Sequence, residues 1–119
     1  MGVESGQDAV IRTLLYNRAN EPVLPYKLTV ADFTSRISDY RNRLAMCGNK
    51  DEGLFVPLNL GAENRTTSNI LSADANSLSY QRTPPEILRF LYGTGDESRP
   101  GGFFPHGGNG KIARSLLAT

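Results

Sequence analysis

The chain has no tryptophan, one cysteine and one histidine in 119 residues. Cys47 alone cannot form an internal disulfide, so no cross-linked scaffold is expected. A single imidazole, His106, excludes a metal site built on clustered histidines. Cys47 lies far from it in sequence, which leaves no Cys-His or Ser-His-Asp arrangement to argue for. No charge of one sign dominates. Thirteen basic and twelve acidic residues are mixed along the chain for a net charge of +1. That leaves no basic stripe for a nucleic-acid backbone and no acidic tail. No apolar run approaches the roughly 20 residues that span a bilayer. The opening MGVESGQD has neither a basic n-region nor an apolar h-region, so no signal peptide is expected in it and the compartment is not legible. The hydrophobic fraction of 39% is lean. Twelve glycines and seven prolines make a single loop-rich domain that buries its core with little margin.

What is present is concentrated first in Val3 to Ala19, VESGQDAVIRTLLYNRA. Glu4, Gln7, Val10, Ile11, Leu14 and Arg18 recur at helical spacing and share one side of a helix. Val10, Ile11 and Leu14 call for a core, and Glu4 and Gln7 are carried beside it. Burying a carboxylate is costly without a partner, whether a cation, an arginine, a metal or water. The plainer reading is a surface acid near the positive start of a helix. The helix is expected to stop before Asn20-Glu21-Pro22, with Val23 to Tyr26 an extended linker.

A second helix should begin at Thr29, with Asp32 completing an imperfect capping box. Phe33, Ile37, Tyr40 and Leu44 form its apolar face. Arg36, Asp39, Arg41 and Arg43 form a solvated one, and Cys47-Gly48 ends it. Leu54 to Leu58 should lie extended across a helix, because Pro57 bars a long helix or central strand. Ile70, Leu71, Leu78 and Tyr80 are candidates to pin the long irregular connection that follows. Asn64-Arg65-Thr66 matches the N-glycosylation pattern, which matters only if the protein is secreted. Thr83-Pro84-Pro85-Glu86 is a strong helix start, with Ile87, Leu88 and Leu91 on the buried side and Gly93 as the stop. Gly107 to Lys111, GGNGK, fails as a phosphate loop. Its first glycine would fall on Pro105, and Ile112 stands where a hydroxyl should hold magnesium. Phe103 and Phe104 are expected to anchor this loop, and Lys111 to Leu117 to form a short terminal helix or strand.

GVESGQDAVIRTLLYNRA resembles the last bundle helix of the plant desiccation-related proteins, a branch of the ferritin-like superfamily. The resemblance continues through TVADFTSRISDYRNRLAMCG, the stretch KDEGLFVPLNLGAENRTTSNILSADANSLSYQRTPPEILRFLYGTGDE, and PGGFFPHGGNGKIARSLL. It implies a mainly α fold of a few helices with long Gly/Pro-rich loops. Residues 1–21 would be the last helix of an incomplete ferritin-like bundle, and 22–119 its C-terminal extension. It implies a stress- or seed-associated protein whose full-length relatives are secreted, here in a truncated form.

Ferritin-like di-metal sites combine carboxylates with Glu-x-x-His pairs from several helices. Glu4-Ser5-Gly6-Gln7 has that spacing with an amide in place of imidazole, a poorer ligand for iron or manganese. Glu4 and Gln7 are therefore weak metal candidates. No catalytic residue and no cofactor are expected. The leading expectation is a non-catalytic family member. Its apolar helix edge, Val10, Ile11, Leu14 and Leu15, should self-associate or dock to another chain. The alternatives are a ferritin-like metal-dependent oxidoreductase completed by a partner chain, and a carbohydrate or cell-wall binding module using Phe103, Phe104 and Tyr80.

Overall fold

A computed structural model describes residues 2–50, 52–56 and 67–117. Among the described residues there are four helices: α1 (Gly2–Asn17), α2 (Val30–Ala45), α3 (Pro84–Tyr92) and α4 (Lys111–Ser115). The fold is mainly helical, as expected of part of a ferritin-like bundle with an extension. Among the described residues only isolated bridges join extended segments, at Pro22–Thr29, Phe55–Ser68 and Gly101–Phe104. The chain divides into two compact units, Met1–Ser38 with Lys50–Tyr80 and Asp39–Asn49 with Gln81–Thr119.

In the first unit, α1 ends in tight turns that carry Ala19 into the core at 4% exposure. Val23 to Tyr26 is not an extended linker. The Val23 N–H donates to the Leu28 carbonyl, and the Val30 and Ala31 N–H groups donate back to Glu21 and Ala19. Those bonds close a compact loop that leads directly into α2. Thr29 caps α2 with a complete box. The Asp32 carboxylate accepts from the Thr29 N–H at 2.8 Å and hydroxyl at 2.9 Å, and the Asp32 N–H donates to the Thr29 hydroxyl at 3.2 Å. These bonds hold the Asp32 carboxyl below its ordinary range, the backbone N–H contributing most.

The buried side of α2 differs from the expected one. Of the expected apolar face Phe33 and Leu44 are half-buried, but Ile37 and Tyr40 are 52% and 46% exposed, whereas Ser38 and Ala45 are buried. Arg41, expected on a solvated flank, is half-buried. Small residues allow close backbone approach, and Ser38 supplies the bonds that use it. Its hydroxyl donates to the Lys50 carbonyl at 3.3 Å and accepts from the Glu52 N–H at 3.0 Å. The helix stops at Ala45, and Met46, not Gly48, takes the first left-handed position, with φ 58°.

Leu54 and Val56 are buried and Phe55 points outward, as in a two-residue alternation. This segment pairs with 67–69 through Val56 N–H to Thr67 carbonyl and Asn69 N–H to Leu54 carbonyl. Pro57 and Leu58 lie outside the described residues. Leu71 and Leu78 do not pin the connection, being 64% and 63% exposed. Asn69 does so instead. It is 2% exposed, and its amide donates to the Gly53 carbonyl at 2.9 Å.

In the second unit, α3 begins as its sequence requires. The Glu86 carboxylate accepts from the Thr83 N–H at 2.7 Å and hydroxyl at 3.0 Å, and Gly93 closes the helix at φ 67°. Leu88 and Tyr92 are buried, while Ile87 turns outward at 37% exposure. The Tyr92 hydroxyl accepts the Gly108 N–H at 2.9 Å, tying the glycine-rich tail to α3.

Candidate functional site

The site begins with the two sides of α1. Its inward side carries Arg12, Leu15 and Tyr16, all half-buried, and leads to buried Ala19. The Arg12 guanidinium makes five hydrogen bonds to main-chain oxygen. Nε donates to the carbonyls of Asn69 (3.1 Å) and Ile70 (3.2 Å), Nη1 to Glu52 (2.9 Å), and Nη2 to Gly53 (2.7 Å) and Asn69 (2.6 Å). Tyr16 adds a tilted ring contact to Phe55, centroids 5.4 Å apart. The paired segments 52–56 and 67–70 thus form a strap along this side of α1.

The other side of α1 is open. Val3, Val10, Ile11 and Leu14 are 74%, 61%, 57% and 60% exposed, and no residue of α1 is fully buried. Val3, Gly6, Gln7, Val10 and Ile11 form a shallow, open apolar surface along it. Leu15, expected in the docking edge, stands on the strapped side. The open edge is therefore Val3, Val10, Ile11 and Leu14. Glu4 and Gln7 are exposed on the same open side, one helical turn apart.

Among the described residues, no three His, Cys, Asp or Glu side chains converge as a metal site. One carboxylate and one amide on an outward helix face do not by themselves fit a di-metal centre, which needs ligands from several helices. His106 is an exposed loop residue. Cys47 is exposed too, its Sγ 3.9 Å from Arg89 Nη1. Asn64 lies outside the described residues. Phe103 does not anchor its loop, since its ring is 83% exposed. The main chain does so, through Phe103 N–H to the Leu91 carbonyl. Phe104 is 43% exposed and Tyr80 half-buried.

Two residues escaped the sequence reading, Arg12 and Asn69. Arg12 sits on the side of α1 away from the apolar stripe, where a cation reads as solvated. Only the strap, formed by residues some 40 to 58 positions away, gives it partners.

No family model and no solved structure matches the chain. Two curated proteins do. The ferritin-like catalase Nec2 of Nesocodon mauritianus is 67% identical over 117 residues, covering 98% of this chain and 38% of that protein. The desiccation-related protein PCC13-62 of Craterostigma plantagineum is 46% identical over 111 residues, covering 93% of this chain and 36% of that protein. The chain therefore spans little more than a third of each relative's length. On these two likenesses, which run through nearly all its residues, the chain belongs to the ferritin-like plant desiccation-related proteins.

Proposed function

We propose that the chain acts in a desiccation- or stress-related protein as a helix-docking element without a catalytic centre of its own. In this reading α1, within residues 1–21, is one wall of a ferritin-like bundle. Residues 22–119 are the C-terminal extension, of which segments 52–56 and 67–70 brace α1 from behind. The observation that carries it is the division of α1. One side is strapped by the chain's own backbone, and the other presents Val3, Val10, Ile11 and Leu14 to whatever docks there. An exposed apolar edge backed by a fixed frame is what an interaction surface requires.

Leu14→Glu tests it. Because Leu14 is 60% exposed, the substitution should change the folding free energy by less than about 0.5 kcal/mol. It should also abolish association through α1 and the binding of a fluorescent apolar dye. Unfolding of the variant would place Leu14 in the chain's own core and end the reading.

A second reading is a metal-dependent oxidoreductase in which Glu4 and Gln7 contribute to a centre completed by other helices. It is favoured by their shared open side and by the name of the first relative, a ferritin-like catalase. Metal analysis of the purified chain and of the assembled bundle separates the two. Stoichiometric iron or manganese lost on Glu4→Ala/Gln7→Ala would favour the second.

A further inference from the structure

We infer that Asn109-Gly110 is a site of spontaneous deamidation, hastened by Arg114. The reaction needs only these three residues of the chain and water. Solvent hydroxide takes the proton of the Gly110 N–H, and the nitrogen attacks Asn109 Cγ. The N–Cγ bond forms and the Cγ–Nδ2 bond breaks. Nδ2 leaves as ammonia with a proton from water, which regenerates the hydroxide. Water then opens the cyclic imide at either of its carbonyls. Aspartate or its isoaspartyl isomer is left at position 109, and the net charge of +1 falls to zero.

The first support is the nucleophile. Among the described residues the Gly110 N–H has no hydrogen-bond partner. Nothing lies within 4 Å of where a Cβ on Gly110 would be. The nitrogen is neither tied nor crowded.

The second is the electrophile. Arg114 Nη2 donates to Asn109 Oδ1. That oxygen gathers negative charge as the nitrogen adds to Cγ. A cationic donor already in place stabilises it, as an oxyanion hole does. The Arg114 N–H also donates to the Gly110 carbonyl at 3.0 Å. One residue therefore holds both the amide that reacts and the peptide that attacks it. After the reaction the same guanidinium faces a carboxylate.

The third is a contrast within the chain. Asn76-Ser77 also sets an exposed asparagine before a small residue. There the Ser77 N–H, the corresponding nucleophile, donates to the Asp74 carbonyl at 3.0 Å. The Asn76 N–H donates to the Asp74 carboxylate at 2.8 Å. A carboxylate beside the reacting amide opposes the charge that Arg114 relieves at Asn109.

Peptide mapping by mass spectrometry, on the full chain aged at neutral pH, reads conversion at each asparagine. Asn109 should convert about tenfold faster than Asn76. It should convert about threefold faster in the folded chain than in concentrated urea, where Arg114 is no longer in place. Asn76 should show the opposite order. Arg114→Met should remove the gain at Asn109 and leave the rate in urea unchanged. Gly110→Ala is compatible with the extended backbone at 110, φ −85° and ψ 162°. It should slow conversion about tenfold in both states by crowding the nitrogen. A folded rate at or below the urea rate would overturn the inference. So would Asn76 converting first, or a rate unmoved by Arg114→Met or by Gly110→Ala.

Discussion

Arg12 concentrates the chain's most exacting local chemistry. A guanidinium presents five N–H donors in a fixed fork, and here the fork is met by carbonyls from two separate segments. Lysine offers a point charge and cannot span both. Arg12→Ala should cost about 2–3 kcal/mol in urea unfolding, with Arg12→Lys recovering only part. A change within about 0.5 kcal/mol would show the strap to be held by packing instead. Arg89 plays the corresponding part in the second unit. It bonds Glu97 through two nitrogens at 2.6 and 3.1 Å, and the Ala45 carbonyl at 2.8 Å. The Arg89 hydrogen bonds hold the Glu97 carboxyl below its ordinary value of 4.5. A carboxyl depressed in the folded state adds stability that is present above 4.5 and is lost as pH falls through the folded value. Melting temperature should therefore drop below about pH 4.5, and Glu97→Gln should make that drop shallower. An unchanged acid profile in the variant would remove the pair from the account. Asp32 and Asp96, also lowered, contribute in the same direction.

At the scale of the element, α2 buries the residues that look dispensable. Ser38→Ala should cost about 1–2 kcal/mol, because the Glu52 N–H loses its acceptor in a buried place. Ile37→Ala, at a position 52% exposed, should cost less, partly offset by the better helix propensity of alanine. Equilibrium unfolding of both variants checks the order, and the reverse order would restore the apolar face as the packed one. The α3 stop and the loop after it depend on close backbone approach. A Cβ on Gly101 would lie 2.6 Å from the Tyr92 carbonyl oxygen, a main-chain atom with nowhere to go. Gly101→Ala should destabilise the second unit by about 1–3 kcal/mol. It should also reduce or abolish the protection of the Gly108 amide from hydrogen exchange. Full protection in the variant would count against this tie.

At the scale of the molecule, two amphipathic helices turn part of their oily sides outward. Val10, Ile11 and Leu14 on α1 and Ile37 and Tyr40 on α2 are all about half exposed or more. The packed sides carry Arg12, Ser38 and Ala45 instead. A chain folded in this way holds its frame with hydrogen bonds to backbone and leaves apolar edges exposed. Under the docking reading proposed above, its behaviour should depend on concentration. The melting temperature should rise as the sample is concentrated toward about 1 mM, because association draws the equilibrium toward the folded form. A concentration-independent melt would contradict this.

Local rules were enough for the starts of α2 and α3 and for the stop of α3. Thr29 with Asp32, Thr83 with Glu86, and Gly93 each act within a few residues of chain, and they are where the pattern puts them. The periodicity of α1 and α2 likewise told which residues share a side. It could not tell which side faces inward. That choice belongs to the strap, since carbonyls at 52, 53, 69 and 70 claim Arg12. The close approach of Lys50 and Glu52 to Ser38 decides the same question for α2. An apolar stripe records only that something oily lies against it, in this chain or beyond it. Hydrogen-bond satisfaction between distant segments decided which sides this chain covers itself.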